Sequence, residues 1–128
     1  MKFDCGDINC SVKTLKALAD AKRLRAAALL AAAGRALCVC ELVDAMRESQ
    51  YNVSRCLAAL HAAGLIKKEK KGRWAMYSLG AGLGAAGAFI YRLVAPRPCC
   101  PVVAQDLARL KQRLTLRKNG ACVVGGCC

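Results

Sequence analysis

One histidine, His61, and eight acidic residues in a chain of 128 leave little with which to build catalysis. No Ser nucleophile motif, triad or acid pair can be assembled from them, so no enzyme is expected. Zinc sensing through a His- and carboxylate-rich site is nearly excluded for the same reason. There is no charged start, apolar core and small-residue cleavage site of a secretory signal. Reduced thiols and a cytoplasmic location are therefore expected. Long hydrophobic runs are also missing. The longest, Ala81 to Val94, is interrupted by glycines and contains Arg92, too short and too polar to span a bilayer, so no membrane partner is expected.

What is abundant is cysteine, with ten residues, and positive charge, with 21 Lys and Arg and a net charge of +13. In a reducing compartment closely spaced cysteines hold metals, react or sense redox state more often than they form a disulfide framework. Cys38/Cys40, Cys99/Cys100 and Cys127/Cys128 fit ligand duty. The charge favours a polyanionic partner, nucleic acid first. At this length one domain is expected, with a small core completed by dimerisation.

Ser11 is placed to cap a helix through Leu15, Leu18 and Ala19, and Asp20 a second over Ala21 to Ala33, stopped by Gly34. Val39, Leu42, Val43 and Met46 recur at helical spacing and predict a third helix whose first turn holds Cys38 and Cys40. Ser49 or Gln50 opens a fourth, with Val53, Leu57 and Leu60 inward and Gly64 closing it. Its outward face carries Gln50, Asn52, Ser54 and Arg55. Amides and guanidinium groups in that position suit a major-groove reader, since they pair bidentately with adenine and guanine.

Leu65 to Lys70 and Arg73 to Leu79 read as two strands joined at Lys71-Gly72. Lys67, Lys68, Lys70, Lys71 and Arg73 crowd five cations into seven residues, which suits phosphate contact. Further on, Phe89, Ile90, Leu93 and Val94 predict one helix. Val103, Leu107, Leu110 and Leu114 predict another, with Arg109, Lys111 and Arg113 outward, and both are assigned to dimerisation. The organisation read is an arm at 1–10, a winged-helix domain at 11–117 and a Cys- and Gly-rich tail at 118–128 bearing Cys122, Cys127 and Cys128.

Cys56, on the edge of the inward stripe, is read as a packing residue, and His61 as a solvated one. Gly82, Gly84 and Gly87 match a dinucleotide-binding spacing, with Asp106 about 20 residues on. The preceding strand belongs to a basic hairpin rather than to a β-α-β unit, so helix packing is the preferred reading.

The stretch from Leu15 to Leu79, about half the chain, resembles the ArsR/SmtB family of metal-responsive bacterial repressors. The matching residues are Leu18-Ala-Asp20, Leu24, Leu37-Cys-Val-Cys-Glu-Leu42, Ser49-Gln50, Val53-Ser-Arg55, Leu57-Ala-Ala-Leu60, Ala63-Gly-Leu65 and Gly72-Arg-Trp74. The resemblance implies a mainly α winged helix-turn-helix with a small β-hairpin, in the order α-α-α-α-β-β-α-α. It also implies a homodimer that holds double-stranded operator DNA until an ion binds. The expected DNA-contacting set is Ser49, Gln50, Asn52, Val53, Ser54 and Arg55, with Lys67, Lys68, Lys70, Lys71 and Arg73 on the wing. Cys-Val-Cys-Glu-Leu is similar to the arsenic-responsive branch, so Cys38 and Cys40 are the primary ligands expected, with arsenite or antimonite as inducer and no cofactor in the repressing state.

The arsenic-branch pattern has a third cysteine where this chain has Val43. Cys99, Cys100, Cys5 and Cys10 are the candidates for further ligands. A site of Cys5, Cys10, Cys38 and Cys40 would resemble the cadmium- or lead-responsive members. A thiol redox switch acting on DNA is a further alternative, and a cysteine-rich metal carrier another. On a regular helix Cys38 and Cys40 would point roughly 200° apart, so binding one ion is expected to unwind that turn and shift the reader helix. The positive helix terminus favours the thiolate form at both.

Overall fold

The computed structural model describes residues 8–79, 90, 92 and 101–117. The elements whose bounds lie among these residues are, in order, α1 (Ile8–Leu18), α2 (Ala21–Ala33), β1 (Leu37–Cys38), α3 (Val39–Met46), α4 (Gln50–Ala62), β2 (Ile66–Lys71), β3 (Trp74–Leu79) and α5 (Pro101–Leu114). The fold class read from the sequence holds, with one strand added between α2 and α3.

Local chemistry sets most boundaries. Asp20 accepts from the Arg23 N–H at 3.1 Å and opens α2, while Gly34, with φ of +62°, closes it in the left-handed conformation that glycine takes most readily. Ser49 Oγ accepts from the Asn52 N–H at 3.1 Å and opens α4. Between α3 and α4, Arg47 takes a φ of 53° and donates its N–H to Val43 O at 2.9 Å, making the sharp turn of the two-helix unit. α1 starts at Ile8, within the stretch read as an arm, so Ser11 lies inside the helix instead of capping it. Ile8, Val12 and Leu15 explain the extension, because they continue one apolar stripe a turn earlier.

α2 is the hub. Ala26, Ala27, Ala28, Leu29 and Leu30 are all buried, and the three alanines let neighbouring elements approach its backbone. Val53, Leu57 and Leu60 of α4, Leu37 of β1, Leu42 of α3, Ile66 of β2 and Val103 and Leu110 of α5 complete the same core. Ile90, on the stretch read as an additional helix, is helical and buried there too.

The sheet is antiparallel in the order β1-β3-β2. Lys71 pairs with Trp74, so the hairpin turns at Gly72-Arg73, one residue later than the sequence suggested. Gly72 carries the positive φ, 62°, that a two-residue loop requires at its first position. β1 joins the hairpin through Leu37 opposite Tyr77 and Cys38 opposite Met76.

α5 is held across α2 and α3 by arginines. Asp106, fully buried, accepts from Arg25 Nε at 2.7 Å and Nη2 at 2.9 Å and from Arg109 Nη2 at 2.7 Å. The same guanidinium groups reach the last carbonyls of α3, Arg25 to Met46 O and Arg109 to Ala45 O, both at 2.7 Å. Cations belong at that end of a helix. Arg113, read as outward, is buried, because Asp44 on α3 takes its Nε at 2.7 Å. Asp106 is thus committed to an ion-pair clamp; Gly82 to Gly87 lie outside the described residues. Among those described, no helix is long and apolar enough to cross a membrane.

Candidate metal centre and nucleic-acid interface

Cys38 and Cys40 lie fully inside the fold, 0% and 2% exposed, with their Sγ atoms 3.1 Å apart. The expected opposition of the two side chains does not occur. Cys38 is the last residue of β1 and the N-cap of α3, with extended φ and ψ of −91° and 166°, so only Cys40 obeys helical spacing. The pair converges without any unwinding. Cys38, Cys40 and Met76 make a cluster apart from the main core, with Ala36 and Trp74 packed against it.

Glu41 supports this turn. Its carboxylate accepts the Cys38 N–H at 3.0 Å, while the Cys38 side chain faces the Glu41 amide in a capping box with cysteine in place of serine. Arg117 closes on Glu41 with two contacts of 2.6 Å and donates to Ala36 O at 2.8 Å. Burial pushes the Glu41 carboxyl up, but the Arg117 and Cys38 hydrogen bonds outweigh it and hold the group below the usual carboxylate range. On the other sulfur, Arg113 Nη2 lies 3.8 Å from Cys40 Sγ, where its charge stabilises a thiolate. Arg113 on α5 thus lies beside Cys40, and Arg117, just beyond α5, closes on the Glu41 carboxylate that holds the Cys38 N–H.

Among the described residues, no third His, Cys, Asp or Glu joins Cys38 and Cys40. Cys5, Cys99 and Cys100 lie outside the described residues, as do Cys122, Cys127 and Cys128; Cys10 sits on α1, its side chain not described. Cys56 is buried, as read, and burial pushes its thiol up, which suits packing. Glu41, Arg113, Arg117, Trp74 and Met76 were not singled out as site residues from the sequence. The Cys-x-x-Glu spacing of the capping box was the available clue to the first; the rest are joined to the site only by tertiary structure.

The candidate reader face lies on α4. Gln50, Ser54 and Arg55 are exposed, Asn52 is half-buried, and Ser49 is the helix cap. Val53 is buried to 1% and belongs to the core, which corrects its placement among the DNA-contacting residues: the helix presents Val53 on the same side as Leu57 and Leu60. Asn52 Nδ2 donates to Glu48 Oε1 at 3.2 Å. Tyr51, missed by the sequence reading, is exposed and accepts from Arg55 Nη1 at 2.8 Å, the guanidinium lying 5.5 Å from its ring centre. On the wing, Lys68, Lys70, Lys71 and Arg73 are exposed and Lys67 is half-buried. Lys68 sits 5.8 Å from the Tyr77 ring centre.

Two short helices joined by a sharp turn, followed by a basic hairpin, define a winged helix-turn-helix protein. The model of the bacterial regulatory protein arsR family matches residues 20–68. The arsenical resistance operon repressor of Escherichia coli K12 is 40% identical over 79 residues, covering 62% of this chain and 67% of that protein. The arsenic resistance transcriptional regulator ArsR2 of Pseudomonas putida is 44% identical over 64 residues, covering 50% of this chain and 55% of its own length. Among solved structures, HlyU from Vibrio cholerae N16961 superposes with a TM-score of 0.63 at 28% identity, covering 71% of this chain and 98% of that one. The chain spans about half the length of the Pseudomonas putida relatives it matches. It belongs to the ArsR family, a family of transcriptional regulators rather than enzymes.

Proposed function

We propose that the chain is a transcriptional repressor that binds double-stranded operator DNA as a homodimer and leaves it when arsenite or antimonite binds the Cys38 and Cys40 thiolates. The observation that carries this reading is the buried thiol pair, 3.1 Å apart, at the junction of α3 with the wing strand. The arsenic-resistance relatives support the choice of ion. The third thiolate comes from Cys99, Cys100, Cys5 or Cys10. Repression itself requires no cofactor.

The route from ion to DNA differs from helix unwinding. A third thiol can enter the buried cluster only if Arg113 on α5 and Arg117 just beyond it, or Trp74 and Met76 on β3, move aside. Moving β3 moves the wing cations; moving α5 loosens the arginines that grip the last carbonyls of α3, ahead of α4. A coupling of about 1 to 3 kcal/mol between the ion and operator sites suffices for release. The α4 residues Gln50, Asn52, Ser54 and Arg55 read bases, and Lys67, Lys68, Lys70, Lys71 and Arg73 engage phosphates. Ile8, Val12 and Leu15, exposed along one face of α1, support pairing with a second copy, whose symmetry would match a two-fold operator.

The test is release of labelled operator from the reduced protein by arsenite, antimonite, cadmium, lead and zinc, repeated with Cys38→Ser and Cys40→Ser. Arsenite release lost in both variants is the expected outcome. Release chiefly by cadmium or lead would replace this reading with the four-thiolate one using Cys5 and Cys10. Release by oxidant, reversed by reductant and indifferent to every ion, would replace it with a redox switch.

A further inference from the structure

We propose that Cys38, Cys40 and Met76 form a three-sulfur site for a soft monovalent cation, copper(I) or silver(I), with the wing strand itself supplying a ligand. The proposal shares two sulfurs with the arsenite reading and stands without it.

The donor set comes first. Cys38 and Met76 are directly opposite in the β1–β3 register, so their side chains leave the sheet on the same face. With Cys40 they form one buried cluster. The nearest carboxylate is spent, since Glu41 accepts from Arg117 on both oxygens and from the Cys38 N–H. No further His, Cys, Asp or Glu among the described residues completes the site. Zinc, which takes four nitrogen, oxygen or thiolate ligands, is two short. Thiolate and thioether sulfur together are the ligands that select copper(I).

Charge agrees with that choice, and the reach it needs is within what Cys38 can supply. Two thiolates around a monovalent cation leave one negative charge, and Arg113 Nη2, held by Asp44 through its Nε, faces it 3.8 Å from Cys40 Sγ. Metal–sulfur bonds of about 2.3 Å in a trigonal plane need sulfurs about 4.0 Å apart. Cys38 can open the pair by rotating its side chain, because as N-cap it lies outside the helix. Each thiol loses its proton on binding, and the thioether binds without any proton change.

The experiment uses the full chain with Cys5, Cys10, Cys99, Cys100, Cys122, Cys127 and Cys128 changed to Ser, reduced and labelled with ¹³C at the methionine methyls. Silver(I) is the probe. The first equivalent should shift the Met76 methyl resonance, assigned by its loss in Met76→Leu, and leave that of Met46, which lies in the main core. In competition with a thiol chelator, Met76→Leu should weaken silver binding about 10- to 100-fold while its circular dichroism stays that of the folded parent. A Met76 methyl unmoved by the first equivalent, or wild-type silver affinity in Met76→Leu, overturns the proposal. Loss of arsenite release from operator DNA with the Met76 shift intact would fail the arsenite reading alone.

Discussion

Cys38 stands opposite Met76 in the antiparallel bridge between β1 and β3, and both are buried, at 0% and 8% exposure. The thiol that opens α3 is thereby fixed to the strand that carries one side of the basic wing. The thiol pair and the basic hairpin are neighbours in the sheet although 38 residues separate Cys38 from Met76 in sequence.

That arrangement supplies a reporter. Trp74 is the only tryptophan of the chain, and it packs against the sulfur cluster. Titrating arsenite into the reduced protein should change its emission in a saturable way. The Cys38→Ser/Cys40→Ser double variant should show no change. An equal change in the double variant would place the ion elsewhere.

Glu41 and Arg117 set an acid limit on stability. Because the folded carboxyl titrates below its ordinary value, it contributes stability that is present above that value and lost as pH falls through the lower folded one. Chemical denaturation should therefore show stability declining below about pH 4.5. Glu41→Ala, which strands a buried guanidinium, should cost about 3–5 kcal/mol at pH 7 and flatten the decline. A variant as stable as the parent at pH 7 contradicts the pairing.

Asp106→Asn tests the clamp on α5. Three guanidinium N–H groups converge on this buried carboxylate, and removing its charge should cost about 3 kcal/mol or more. Urea midpoints measure that loss directly. A loss below 1 kcal/mol, on the order of a single neutral hydrogen bond, would mean that the arginines are held mainly by the carbonyls of α3.

Reader and wing should separate in salt and sequence dependence. Removing Lys70 or Lys71 should weaken all DNA alike and reduce the slope of log affinity against log salt by about 0.9 for each phosphate no longer neutralised. Arg55→Ala should instead cost about 1–3 kcal/mol on the operator and relax preference at one base pair. A loss no greater than that of a distant surface arginine would remove Arg55 from the reading face.

Local signals carried much of this fold. Asp20, Ser49, Gly34 and Gly72 each satisfy a backbone requirement that can be read from residue type and spacing, and the boundaries near them came out as expected or one residue away. The Cys38/Cys40 pair was legible as chemistry. Its geometry was not, because β1 has only two residues and no periodicity, and its pairing with β3 is what takes Cys38 out of the helix. Arg113 and Arg117 were equally hidden: a cation on or just after a helix reads as solvated until an acid on another element, Asp44 or Glu41, turns it inward. Val53 shows the opposite failure, where a motif drew an apolar residue into the reading face although its own periodicity pointed to the core.

Burial of the Cys38 and Cys40 thiols has a kinetic consequence for the proposed function. Cys38 and Cys40 are buried, so on the proposed function an ion would reach them only after neighbouring residues part, and the response should follow an opening step of the protein. At low inducer the rate of release should grow with concentration, and at high inducer it should level off at the opening rate. On the proposed function, the response would favour sustained exposure over brief pulses of ion.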